Sequence, residues 1–306
     1  MISHKTTIGF QLADSIQDWS ECFWKMKPKK LLRMKKIIIA FDGDNFSEGA
    51  FEFARRINDL QPILLTGVFV PQAELAGLWG YAGGVAGLAI PLVERYDPDQ
   101  NRESIIKFEK RCLDNGIDFR IHKDYNDFAL NELKQETAYA DLLILGSEMF
   151  YRGLGVNSPN DYLEGALHNI KCPVIVVPEV FNFPDGIILA YDGSENSIFA
   201  IKQFAYLLPE LVSKPTLLVY ASSDKQQDIP EKILIEELAA RHYSDLTLYK
   251  MDVNPGNYLN AWIVGKGSVM LVCGAYGRSG LSQLFKKSFV RDIIASHSLP
   301  VFIDHR

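Results

Sequence analysis

The chain has little with which to bind metal or cross-link itself. Its four cysteines, Cys22, Cys112, Cys172 and Cys273, make no CxxC pair and have no histidine at metal-ligand spacing, which excludes a zinc ribbon and a disulfide framework. Cys172 and Cys273 stand in apolar runs, where a thiol serves as a small core hydrophobe, and this usage predicts a reducing, cytoplasmic setting. Positive charge is also short: 32 lysines and arginines against 38 aspartates and glutamates leave a net charge of −6. A basic face is what displaces counterions from polyphosphate, so nucleic acid is not an expected partner. The first 30 residues carry polar and acidic groups throughout and lack the apolar segment and cleavage site of a secretory leader. Neither HExxH, GxSxG nor a paired-carboxylate pattern is present, and none of the six histidines forms an evident pair with a nucleophile. Nothing in the sequence therefore demands catalysis.

What the sequence does have is an internal repeat. Lys35–Asp44 (KKIIIAFDGD) and Gly186–Ser194 (GIILAYDGS) are both aliphatic runs that end in Asp-Gly. Runs of this length bounded by turn residues suit strands covered on both faces of a parallel sheet. The register continues in each half: a helical segment at 47–58 or 195–208, a strand at 63–70 or 216–221, a helix at 103–115 or 231–243, and a half-polar strand at 117–123 or 246–252. Later strands at 141–145 and 269–273 run into Gly146 and Gly274, and the halves close with Pro173 and Pro300 followed by apolar strands. Strands alternating with helices of about a dozen residues predict two tandem α/β domains, each a doubly wound five-stranded parallel sheet, with ligands at the carboxyl ends of the strands.

Domain 1 is expected over residues 34–180 and domain 2 over 181–306, after an extension, residues 1–33, without order of its own. Asp42 and Asp192 are 150 residues apart, Gly146 and Gly274 only 128, so the first half carries about 22 extra residues, placed at 72–100. Within this insert Leu75–Val93 has no charge over 19 residues but holds five glycines and Pro91. A membrane span between two strands of one sheet would disrupt that sheet, so the insert is expected to act as an apolar lid or as a contact patch, displaying Trp79 and Tyr81 to a protein partner or a second copy. The basic run Lys25–Met34 suits an acidic surface or a flexible arm, and no specific function is read into it.

The segment Gly274–Ser288 (GAYGRSGLSQLFKKS) leads from a buried strand into a helix. Glycines let backbone N–H groups approach phosphate oxygens, and the next helix adds free donors and the positive end of its dipole. With Asp192 and the closing Pro-apolar strand, this segment resembles the universal stress protein family, whose ATP-binding members carry G-x2-G-x9-G-[S/T] in this context. Gly274, Gly277 and Ser288 match in type and spacing, while Lys287 stands where the family has glycine. The resemblance spans most of 35–306 and implies that Gly274, Gly277 and Ser288 hold the phosphates of ATP, that Asp192 positions ribose or Mg²⁺, and that backbone near Tyr220 meets adenine. A lysine at 287 either obstructs the loop or pairs with a phosphate, and Arg278 and Lys286 rank below the glycines.

The first half departs further. Gly146-Ser147-Glu148-Met149 keeps the first glycine and loses the second, and Asp161 falls where Ser288 falls in the second half, so a carboxylate would meet the phosphate. Asp42 and Asp192 also suit plain Asp-Gly turns, and Ser288 a plain helix cap. The resemblance further implies that Val174–Val177 and Val301–Ile303 pair as the seam of an intrachain pseudo-dimer. Three functions are carried forward: a nucleotide-responsive stress protein, an interaction scaffold of the same fold working through 72–100, and an adenylating enzyme, for which no acceptor pocket is identifiable.

Overall fold

Aliphatic runs with no polar face can be satisfied only by cover on both sides, and eight such strands line up in one ten-stranded sheet whose two edges are the half-polar strands. The computed structural model describes residues 34–42, 45–70, 72–75, 92–95, 100–122, 129–150, 152, 163, 166–167, 169–252, 255–274 and 288–304. In the first half, β1 (Lys35–Asp42), β2 (Ile63–Val70), β5 (Asp118–His122), β6 (Leu142–Gly146) and β7 (Val174–Val177) are all parallel. The second half repeats this with β8 (Gly186–Ala190), β9 (Thr216–Ala221), β10 (Leu246–Met251), β11 (Val269–Gly274) and β12 (Val301–Asp304). The strand order is β10-β9-β8-β11-β12-β7-β6-β1-β2-β5.

Alternation within single strands divides the core into two layers. Ile37, Ile39 and Phe41 of β1 face one cluster, with the helices Glu48–Leu60, Gln100–Asp114, Glu195–Leu207 and Lys232–His242; Ile38 and Ala40 face the other, with Ala129–Thr137, Pro255–Val264 and Ser288–Ala295. Helices on both faces, joined by parallel crossovers, make each half doubly wound. The observed bounds of β2, β7 and β9 coincide with the expected ones, and the other strand and helix ends lie within three residues of them, where a chain frays.

The halves meet where β7 and β12 run antiparallel, with Val301 opposite Val176, Phe302 opposite Ile175 and Ile303 opposite Val174. Both strands are buried throughout; apart, each would be an apolar edge open to aggregation, and joined they merge two sheets into one. Phe302, with no exposure, packs edge-on against Phe204, ring centroids 5.3 Å apart. Antiparallel pairing sets the two halves head to tail, so the carboxyl ends of the first half's strands lie beside the turn that precedes β12.

The ends of the insert form an antiparallel ribbon apart from the main sheet, β3 (Gln72–Leu75) on β4 (Leu92–Arg95); residues 76–91, with Trp79 and Tyr81, lie outside the described residues, as do residues 1–33. Among the described residues no helix is long and apolar enough to cross a membrane.

Candidate functional site

In a doubly wound sheet the loops at the carboxyl ends diverge where the chain reverses its order of adding strands, and a crevice opens there. This chain has two such points, between β8 and β11 and between β1 and β6. Asp192 follows β8 by two residues, with Gly274 ending the neighbouring β11; Asp42 and Gly146 hold the corresponding places in the first half.

At the second-half crevice the half-buried Asp192 accepts the Ser194 backbone N–H on Oδ1 at 2.9 Å, and Ser194 caps the helix Glu195–Leu207 by accepting from Ser197 N–H at 3.2 Å. The turn role expected for Asp192 is thus present. Gly274 lies so close to that helix that a Cβ on it would stand 2.2 Å from the carbonyl carbon of Asn196. The absence of a side chain is therefore required by backbone packing whether or not a ligand is bound. The same constraint explains why the divergent first half keeps Gly146, where a Cβ would come 2.6 Å from that of Ser47, the cap of the helix Glu48–Leu60.

Beside the crevice, the buried Tyr191 donates its hydroxyl to the Pro230 carbonyl at 2.9 Å. Burial, with the charges of Glu231 and Asp192, pushes its phenol above the ordinary range. Tyr220 is also buried, with its ring in the core. Cys273 is held in its thiol form chiefly by burial, with Asp192 adding to the effect. Ser288 opens the helix Ser288–Ala295. Gly277, Lys287, Arg278 and Lys286 lie outside the described residues, as does Asp161 of the first half.

The first-half crevice is built differently, from residues distant in sequence. Glu179, just past β7, accepts from the Ser47 hydroxyl and from the backbone N–H groups of Glu48 at 3.0 Å and Gly49 at 3.4 Å. A carboxylate of the chain thus takes the free donors of the helix Glu48–Leu60, where the helix dipole favours an anion by roughly 0.3–1 kcal/mol. Asp42, 1% exposed, accepts from the Asn45 side-chain amide at 2.7 Å. Ser147 lies 2.8 Å from Nδ1 of His297 and 3.4 Å from the Glu148 carboxylate, which in turn accepts the Glu179 N–H at 2.5 Å. Sequence inspection finds no histidine paired with a nucleophile, and the structure corrects this: the two residues are 150 positions apart and meet only because the seam is antiparallel. The one local sign of this pair is the Gly146-Ser147 step at the end of a buried strand. Among the described residues no group of three or more His, Cys, Asp or Glu is placed to hold a metal.

No protein-family model and no curated protein matches the chain. Solved structures do. A universal stress protein from Archaeoglobus fulgidus DSM 4304 superposes with a TM-score of 0.60 at 16% identity, over 88% of this chain and 96% of the other. A Pseudomonas aeruginosa UCBPP-PA14 structure assigned to the universal stress proteins gives 0.53 at 14% identity over 90% and 94%. A functionally unknown protein from Pseudomonas aeruginosa PAO1 gives 0.52 at 13% over 90% and 93%. Coverage of this extent takes in both halves of the sheet, and at these identities the likeness is one of fold.

Proposed function

We propose that this protein, which has the fold of the universal stress proteins, is a cytoplasmic stress-response regulator that binds ATP with Mg²⁺ at the crevice of its second half, with at most slow hydrolysis. The supporting observation is that Asp192 and Gly274 flank the point between β8 and β11 where strand order reverses, the place where open α/β sheets hold ligands. Gly274, Gly277 and the amino end of the helix beginning at Ser288 supply backbone donors to the phosphates, with Lys287 adding charge. Asp192 uses Oδ1 in its turn and offers its other oxygen to ribose or Mg²⁺. The first half has no equivalent role, because Glu179 and Glu148 place carboxylates in its crevice and these repel a phosphate.

Isothermal titration of Mg·ATP into the full chain, beside Gly277→Glu, tests the assignment. Saturable binding to the parent, lost in the variant, supports it. A flat titration of the parent overturns it, and would favour a scaffold that works through the ribbon β3–β4, which stands apart from the main sheet.

A further inference from the structure

The polar contacts of the first-half crevice are more than a blocked nucleotide site. We propose that Ser147 is an acyl-accepting nucleophile with His297 as its base, acting on small uncharged or cationic carboxylic esters. This site is separate from the nucleotide crevice and does not depend on it.

Four observations carry the proposal. The Ser147 oxygen is 2.8 Å from His297 Nδ1, the contact that lets an imidazole take a hydroxyl proton as the oxygen attacks. His297, two residues past the helix Ser288–Ala295, has φ of +47°, a left-handed conformation that costs an ordinary residue roughly 1–2 kcal/mol; its N–H is tied to the Ile294 carbonyl at 3.1 Å. Ser147 immediately follows the carboxyl end of β6, beside the strand-order reversal between β1 and β6. Finally, two backbone donors of the turn stand without an acceptor among the described residues. Ser147 N–H bonds Val177 O and Phe150 N–H bonds Gly146 O, whereas the N–H groups of Glu148 and Met149 have no partner among the described residues. The N–H just after a nucleophilic serine is where an oxyanion is received in other hydrolytic sites.

The reaction balances with these groups and water. Ser147 Oγ bonds to the ester carbonyl carbon as its proton passes to His297. The oxyanion rests on the Glu148 and Met149 N–H groups. The bond to the leaving alcohol breaks, and the imidazolium returns the proton to it. Water, deprotonated by His297, then releases the acyl group as a carboxylic acid, and Ser147 regains its proton. The substrate class follows from charge and space: the carboxylates of Glu148 and Glu179 repel an anionic substrate, and Ser147 is only 5% exposed, which restricts the acyl group to a short one.

The probes are a fluorophosphonate and p-nitrophenyl acetate, applied to the full-length protein. The expected result is a single phosphonyl adduct mapped by mass spectrometry to Ser147, and ester turnover abolished in Ser147→Ala and lowered roughly 100-fold or more in His297→Gln, with His242→Gln equal to the parent. Parent labelling alone, followed through the pH range where imidazole loses its proton, should rise with deprotonation, which keeps the test open if a variant fails to fold. An adduct absent from Ser147, a labelling rate flat across that range, or a folded His297→Gln variant as active as the parent overturns the proposal.

Discussion

Replacing Gly274 by alanine tests the packing of the second-half crevice with no ligand present. The new Cβ would stand 2.2 Å from the Asn196 carbonyl carbon, 2.3 Å from its oxygen and 2.4 Å from the Ser197 nitrogen. Carbon atoms rest about 3.5–4.0 Å apart, so the strand end and the helix must separate by more than about 1 Å. The atoms in the way are backbone of the first turn of Glu195–Leu207, and that helix is anchored by Ala200, Ile201 and Phe204, all buried. No side-chain rotation relieves the clash. Overpacking costs roughly 1–3 kcal/mol where side chains can adjust, so about 3 kcal/mol or more is expected here, or a melting point roughly 6–12 °C lower at the scaling of domains of comparable size. Gly267→Ala is the control: it has φ of +81° and nothing within 4 Å of the added atom, so it loses only the left-handed penalty of roughly 1–2 kcal/mol. Urea unfolding followed by circular dichroism compares the two. A Gly274→Ala variant no less stable than Gly267→Ala would refute the packing argument and return Gly274 to a role in ligand approach alone.

Two further perturbations address the seam and the buried thiols. Phe302→Pro removes a ladder N–H opposite Ile175 and a buried ring at once, so soluble protein should be lost on expression, as measured by size-exclusion chromatography; a compact, fully soluble variant would show that the seam contributes little. Burial pushes Cys172 up to about 12, and Cys273 is shifted upwards for the same reason. Above about pH 9 the unfolded chain therefore loses thiol protons that the native state keeps. The unfolded state then binds fewer protons, so stability falls as pH rises through this window. The urea midpoint should drop between pH 8 and pH 10.5, and by less in Cys172→Ala; equal drops in the two proteins would contradict the assignment.

The strands, their alternation with helices and their parallel sense could be read from the sequence, because a strand covered on both faces admits only apolar residues and a crossover between parallel strands needs a helix. Runs such as Ile37–Phe41 and Ile187–Ala190 carry that requirement locally, and the spacing of Asp42, Gly146, Asp192 and Gly274 placed the insert of the first half after its second strand, where the ribbon β3–β4 lies. The meaning of the glycines was not local: the sequence shows that Gly146 and Gly274 recur, but only the packed helix starts at Ser47 and Asn196 show that a side chain there has no room. Nor could the polar contents of the first crevice be read in advance. Glu179 reaches a helix start 131 residues away, and His297 reaches Ser147 across 150; no periodicity marks such pairs, since each side chain alone looks like an ordinary turn or surface residue. Their meeting is decided by the antiparallel pairing of β7 with β12, which brings the end of one half's strands against the start of the other's last strand.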